Sequence, residues 1–289
     1  MTQEVKALIY LTLITVLWGL TFPLIKNALT AIAPATFVTV RFGLASLILL
    51  PFIIRDFKQS SVRPLVAGVI LGTLNGLAYL LQTVGLQTIS AAQAAFIIGI
   101  TVIFVPLITP WLRLGKPHKI DFIAALLSIL GLYIFTGFAL QIRIGSLWCL
   151  LSTVSSALSI VFLQFITKKN PTSLSLLAFY QVLFTIPIPA VISTGDAAQN
   201  LAAPAVLAAL LFCAIFATSI AFMVQTKFQH FVNPTTATLI YGLEPVFAMF
   251  FAWPINHAPI TCLMLIGGTI MLLGTFLHAA TNHHLRLHS

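Results

Sequence analysis

The chain has 289 residues, of which 60% are hydrophobic and only 7% are charged, and its formal net charge is +9. Soluble domains carry about 25% charged residues, so this composition excludes an ordinary water-soluble globular protein. The basic residues stand in small groups between apolar segments rather than on one face, so no nucleic-acid partner is predicted.

Apolar segments follow one another along the whole chain, separated by polar, charged or Pro/Gly-rich breaks. A helix of about 20 apolar residues crosses the hydrocarbon core of a bilayer, so each segment is predicted to be a transmembrane helix. The sequence therefore predicts an all-α polytopic protein of the lipid bilayer. Its ten predicted helices cover residues 7–25, 35–54, 65–86, 93–112, 122–139, 146–166, 174–193, 204–226, 235–253 and 260–279.

The distribution of lysine and arginine predicts the orientation of these helices. Eleven of the 14 basic residues, among them Arg55, Arg63 and Lys168, fall on one side of the predicted membrane. The positive-inside rule makes that side cytoplasmic, and an even number of helices then places both termini there. The expected location is a bacterial inner (plasma) membrane.

The two halves of the chain align with each other at an offset of 143 residues. Residues 79–104 lie over residues 222–247 without a gap, and Gln82 then meets Gln225 as Gly99 meets Gly242. Each half holds five predicted helices, so the second copy must enter the membrane in the opposite orientation, as in many secondary transporters. The sequence predicts two inverted five-helix repeats, residues 1–141 and residues 142–289 with a short cytoplasmic tail.

Several short motifs resemble those of the EamA family of the drug/metabolite transporter superfamily, over essentially the full chain. The resemblance implies a ten-helix inverted-repeat carrier that exports or exchanges small organic solutes. The residues that carry it are Trp18-Gly19, PATFVTVRF (34–42), GLQTISAAQAAFI (85–97), VPL (105–107) and LEPVFA (243–248).

Glu244 is the only carboxylate near the middle of a predicted span. A buried carboxylate is stable only if it takes up a proton or finds a cation and hydrogen bonds. Arg41, the only arginine or lysine well inside a span, is expected at a similar depth. Three roles of Glu244 stay open: a structural partner of Arg41 or of free backbone groups, a substrate ligand, or a proton carrier.

Prolines are predicted to kink the fourth and ninth helices. Pro245 has no N–H group and should free the carbonyl of Tyr241, and Pro106 is the candidate in the fourth helix. Thr101 occupies the position that aligns with Glu244. We therefore expect the centre of the protein to be chemically asymmetric between the halves.

Aromatic and amide side chains share faces of several predicted helices and suggest a central cavity for an amphipathic solute, such as an amino acid. The alternative is that they pack the helices against one another. The candidate substrate-binding residues are Trp18, Asn75, Tyr79, Gln82, Tyr180, Gln181, Phe222, Tyr241 and Glu244.

The sequence contains none of the motifs G-x-x-x-x-G-K-[ST], G-x-S-x-G and H-E-x-x-H, which argues against ATP hydrolysis and against familiar hydrolases. No cofactor and no metal site are predicted. The favoured hypothesis is a secondary active transporter that works by alternating access, with protons as a candidate coupling ion. A lipid flippase or scramblase of the same fold is the alternative. The solute, the direction of transport and the choice between monomer and homodimer stay open.

Overall fold

The structure is a computed structural model that describes residues 1–59, 62–114, 118–137, 143–169, 173–193 and 200–287. The predicted boundary between the halves, at residues 141 and 142, lies outside this part of the chain. Among the described residues every regular secondary-structure element is a helix, and there is no β-strand. The α-helices are α1 (Gln3–Ala28), α2 (Pro34–Ile53), α3 (Val62–Thr88), α4 (Ala91–Gly99), α5 (Thr101–Ile108), α6 (Lys119–Phe135), α7 (Ile144–Lys169), α8 (Leu174–Leu183), α9 (Pro187–Ile192), α10 (Pro204–Ala214), α11 (Ala221–Phe228), α12 (Pro234–Tyr241), α13 (Glu244–Asn256) and α14 (Cys262–Leu287).

Eight helical stretches of the described residues are long and apolar enough to cross a membrane, which confirms a polytopic helical membrane protein. The helices at the predicted fifth and tenth positions are shorter. Helix α6 has 17 residues, and the apolar part of α14 is Cys262–His278. At 1.5 Å per residue they reach roughly 25 Å, less than the ~30 Å of hydrocarbon. The eight spans are Gln3–Ala28, Pro34–Ile53, Val62–Thr88, Ala91–Leu112, Ile144–Lys168, Leu174–Ile192, Pro204–Phe231 and Pro234–Asn256.

The spans that contain α4 and α12 begin with side-chain caps at equivalent places of the repeat. The Ser90 hydroxyl accepts a hydrogen bond from the Gln93 N–H at 3.1 Å, and the Asn233 carbonyl oxygen accepts one from the Thr236 N–H at 2.6 Å. Such bonds satisfy N–H groups that the first helical turn leaves without a partner. Ser90 and Asn233 are related by the 143-residue offset of the sequence alignment.

Both of these spans are then divided into two half-helices, again at equivalent positions. Helix α4 ends at Gly99 and α5 begins at Thr101, whereas α12 ends at Tyr241 and α13 begins at Glu244. Pro245 lies in the first turn of α13, where a residue without an N–H group is tolerated. Divided helices are typical of transporters, in which irregular backbone within the membrane lines a cavity.

Glycines allow helices of the two halves to approach closely. A Cβ atom added at Gly19 in α1 would lie 2.6 Å from the Cβ atom of Phe247 in α13. Likewise, a Cβ atom added at Gly267 in α14 would collide with the Gly131 carbonyl oxygen in α6. Small residues at such contacts bring backbones together and increase van der Waals packing, the main attraction between helices in lipid.

One buried polar pair also joins α6 to α14. The Asp121 carboxylate lies 2.6 Å from Nε2 of His278, and both side chains are buried. The second carboxylate oxygen accepts a hydrogen bond from the His118 N–H, also at 2.6 Å, and so caps α6. Asp121 therefore stabilises both the start of its own helix and the contact with α14.

Candidate functional site

A cavity of about 100 Å³ lies at the centre of the helices, lined by residues of both halves. Seven of the spans contribute to it, and the half-helix junctions at Gly99 and Gly242 form part of its wall. The structure brings together most of the candidate residues named from the sequence. Those that line the cavity are Trp18, Arg41, Asn75, Tyr79, Gln82, Phe222, Tyr241 and Glu244.

Arg41 is 2% exposed and is fixed by the span that contains α10 and α11. Its Nε donates to the Thr218 hydroxyl at 2.8 Å, and its Nη2 donates to the Ala217 carbonyl at 3.3 Å. Among the described residues no direct ion pair joins Arg41 to Glu244, although both line the cavity. Arg41 is therefore held by two uncharged groups of this span, and its pairing with Glu244 stays a prediction.

The acceptors of Arg41 belong to a π-helical segment, Ile215–Ile220, between α10 and α11. The Ala217 carbonyl in this segment also accepts a hydrogen bond from Nε1 of Trp18 at 2.9 Å. Single π-helical turns inside α-helices often mark functional sites. Here the segment holds two cavity-lining side chains of the first half against the second half.

Aromatic rings complete the surroundings of Arg41. Its guanidinium carbon lies 4.9 Å from the ring centroid of Tyr79 and 5.3 Å from that of Phe42. Phe222 packs against both rings, at centroid distances of 6.0 and 5.8 Å. The faces of aromatic rings attract cations, so these rings help to hold a charged group within the membrane.

Glu244 is the first residue of α13 and is partly exposed to the cavity. Within the described part of the chain its carboxylate forms no ion pair. The N-terminus of a helix favours a negative charge through the N–H groups of its first turn. The equivalent residue at the start of α5 is Thr101, whose hydroxyl donates a hydrogen bond to the Ile98 carbonyl. Only one of the two junctions therefore carries an acid.

One amide side chain and one phenol connect the cavity to a fully buried glutamine, Gln229. Gln225 and Tyr241 line the cavity, and each donates to the Oε1 atom of Gln229 at 3.1 Å. The Nε2 atom of Gln229 donates in turn to the Ile160 carbonyl at 2.9 Å. These bonds fix the orientation of the two cavity-lining side chains.

Tyr180 and Gln181 lie outside the cavity wall, unlike the other aromatic and amide candidates. Gln181 donates to the Thr226 hydroxyl at 2.6 Å. Tyr180 packs so closely on α3 that a Cβ atom added at Gly68 would collide with the Cβ atom of Tyr180. Both side chains hold helices together, as the alternative interpretation of the aromatic and amide residues predicts. Pro106 lies inside α5, away from the junction at the start of that helix.

Helix α7 contributes to the cavity, which was not predicted from the sequence. Ser156, Ser159 and Ile160 line the cavity, and the Ser159 hydroxyl donates to the Asn75 side-chain oxygen at 2.7 Å. Serines spaced along one helix face, as in the stretch SSALS, were the available signal. Hydroxyl groups are weaker indicators than charges because they also bond to the backbone of their own helix.

Known proteins resemble this chain in sequence and in fold. The sequence pattern of the EamA-like transporter family matches residues 5–137 and 143–279. A protein of Archaeoglobus fulgidus described as an uncharacterized transporter is 32% identical over 92% of this chain and 83% of its own length. The Bacillus subtilis protein described as uncharacterized transporter YoaV is 26% identical over 96% of this chain and 98% of its own. A crystal structure at 15% identity superposes with a TM-score of 0.77, covering 99% of this chain and all of that one, and so supports the fold alone.

Proposed function

This chain belongs to the EamA-like transporter family, and from that premise we propose that it is a secondary active carrier of small organic solutes that works by alternating access. Amino acids and related amphipathic molecules are the proposed solutes, and export or exchange is the proposed direction. The proposed topology has ten helices in two inverted repeats, with both termini in the cytoplasm of a bacterial cell.

The observation that carries this proposal is that Arg41 and Glu244 both line one aromatic-walled cavity, with no direct ion pair between them among the described residues. Two opposite charges that do not neutralise each other can each attract an ionic group of a solute. The rings of Tyr79 and Phe222 offer the apolar contact that an amphipathic solute needs. An amino acid in its zwitterionic form has a positive group, a negative group and a side chain that can pack against these rings.

The two half-helix junctions support alternating access. They meet the cavity at equivalent positions of the repeats, at Gly99 and Gly242. In carriers built from inverted repeats, one repeat moves against the other around a central site. We propose that these junctions are where the direction of each divided span changes during transport.

Solute flux in sealed proteoliposomes tests the proposal. Vesicles that contain the purified protein are loaded with a panel of unlabelled amino acids, and exchange with the labelled compounds outside is measured. A fluorescent phospholipid in the same vesicles reports lipid movement. We expect exchange of at least one amino acid that protein-free vesicles do not show.

Variants and gradients separate the remaining alternatives. Lipid movement without solute flux would replace the carrier by the flippase hypothesis. Flux that responds to an imposed pH gradient would support coupling to protons, and flux that Glu244→Gln abolishes would connect that coupling to the cavity. Absence of both fluxes for a folded protein would contradict a carrier of amino acids.

A further inference from the structure

A groove of about 470 Å³ between α3 and α7 lies apart from the central cavity, at the end of the spans that carries Arg55, Arg63 and Lys168. We propose that it binds an anionic phospholipid, with an acyl chain in the groove and the headgroup at Arg63. This proposal does not depend on the transported solute. The side chains that form the groove include Arg63, Val66, Ile70, Phe162, Phe165 and Ile166.

The sequence of α7 explains why the groove between α3 and α7 lies at this end. Toward the opposite end, Gly85 and Gly145 are so close that a Cβ atom at Gly145 would lie 2.5 Å from the Gly85 carbonyl oxygen. Next along α7, Ser152 and Ser155 donate to α3 carbonyls at 2.8 and 2.7 Å. Small residues of this kind let two helices touch along their backbones.

Bulky side chains replace the small residues beyond Ser159. Phe162 and Phe165 stack with their ring centroids 6.2 Å apart, and together with Ile166 they stand opposite Val66 on α3. Such side chains keep the two backbones apart while leaving apolar space between them. The groove is thus a property of the helix pair rather than of a loop.

The position of the groove determines its occupant. Both walls belong to stretches that are apolar enough to cross a membrane, so in a bilayer the groove would face lipid. Val66 is 52% exposed and Ile70 is 41% exposed, which leaves them open to a lipid chain. A free phosphate ion would meet Arg63 but could not use the apolar walls, whereas the acyl chain of a phospholipid matches them.

Arg63 supplies the charge that favours an anionic headgroup. It is exposed at the start of α3, one turn before Val66, and forms no ion pair within the described residues. Lys168 is exposed near the end of the facing helix and adds to the positive potential. Basic residues at the membrane surface attract anionic lipids by electrostatics, which is general, but the adjoining apolar groove makes this place specific.

The headgroup contact is tested by titrating the purified full chain with dioleoyl phosphatidylglycerol and, separately, dioleoyl phosphatidylcholine, and measuring bound lipid by native mass spectrometry. Arg63→Gln should weaken phosphatidylglycerol binding about fivefold and leave phosphatidylcholine binding unchanged, as expected for one basic residue. Arg55→Gln, on the same side but outside the groove, is the matched control and should have little effect. Equal losses for the two variants would reduce the effect to general surface charge and overturn the proposal.

The acyl-chain contact is tested with a variant that fills the groove. Val66→Trp should weaken the binding of both lipids severalfold, because the indole occupies the space of the chain. Val69→Trp, on a neighbouring exposed position of α3 outside the groove, is its control. Identical lipid binding by these two variants would contradict an acyl chain in the groove. The arginine pair and the valine pair of variants each test the proposal independently, so one pair still gives a result if a variant of the other does not fold.

Discussion

The guanidinium of Arg41 donates a hydrogen bond of 2.8 Å to the hydroxyl of Thr218, whereas no direct ion pair joins it to Glu244 in the described part of the chain. The charge of α2 is therefore held by a π-helical segment of the other half. The acid of α13 is left to face the cavity. Thr218 therefore anchors the cation of Arg41, while Arg41 and Glu244 both line the cavity.

Replacing Thr218 by valine should displace Arg41 without changing the volume of the side chain. The loss of one hydrogen bond to a charged group should lower the free energy of unfolding by about 1.5–3 kcal/mol. If Arg41 binds the solute, the apparent KM should rise as well. Thermal unfolding in detergent and exchange kinetics measure the two effects. Thr73→Val, at an exposed hydroxyl bonded within α3, is the control, and a Thr218 variant that behaves like it would contradict the anchoring role.

Glu244→Gln should reduce solute exchange about tenfold or more while leaving the fold stable. The amide keeps the shape of the side chain and removes the charge-assisted contact with the solute, which is worth roughly 1.5–3 kcal/mol. No described ion pair is broken by the change, so the melting temperature should stay close to that of the unmodified protein. Glu4→Gln in the first turn of α1, outside the cavity, should leave solute exchange unchanged. Unchanged exchange with an unchanged pH profile would leave Glu244 with a structural role alone.

Gly19→Ala should destabilise the contact between α1 and α13. The added methyl group would meet the Cβ atom of Phe247 at 2.6 Å and the backbone nitrogen of Ala248 at 3.0 Å, so the helices must separate. Overpacking of this kind lowers stability by about 1–3 kcal/mol. Gly43→Ala is the matched control, because a Cβ atom at Gly43 has no neighbour within 4 Å. Thermal unfolding should distinguish the two variants, and equal stability would show that this contact can relax.

Asp121→Ala should loosen α14 from α6. The change removes the cap of α6 and leaves the buried His278 without its carboxylate partner, so we expect a loss of about 2 kcal/mol or more. Asp56→Ala, which removes a 3.4 Å contact with Ser173, serves as the control. Differential scanning fluorimetry of the two variants measures the difference. A melting temperature that falls equally in both would contradict a special role of the buried pair.

The cavity was largely predictable because its strongest signals are polar side chains that stand out in apolar spans. Arg41, Asn75 and Glu244 are rare residues for a membrane interior, and such residues face protein or water rather than lipid. Ser156 and Ser159 were not found, since a hydroxyl can bond to its own helix and gives no such signal. Tyr180 and Gln181 have the same kinds of side chain as the cavity residues, but they do not line the cavity.

By itself the sequence determined the helical membrane class and the repeat, because hydrophobic length and the 143-residue offset are properties of the linear chain. It also placed Glu244 beside a helix-disrupting proline. Tertiary structure alone decided that Arg41 bonds to Thr218, that the divided spans meet at the cavity, and that Tyr180 packs against Gly68. The physical reason is that the rotation of each helix about its axis depends on close contacts between backbones and on one π-helical turn. Those contacts arise only when distant segments pack together.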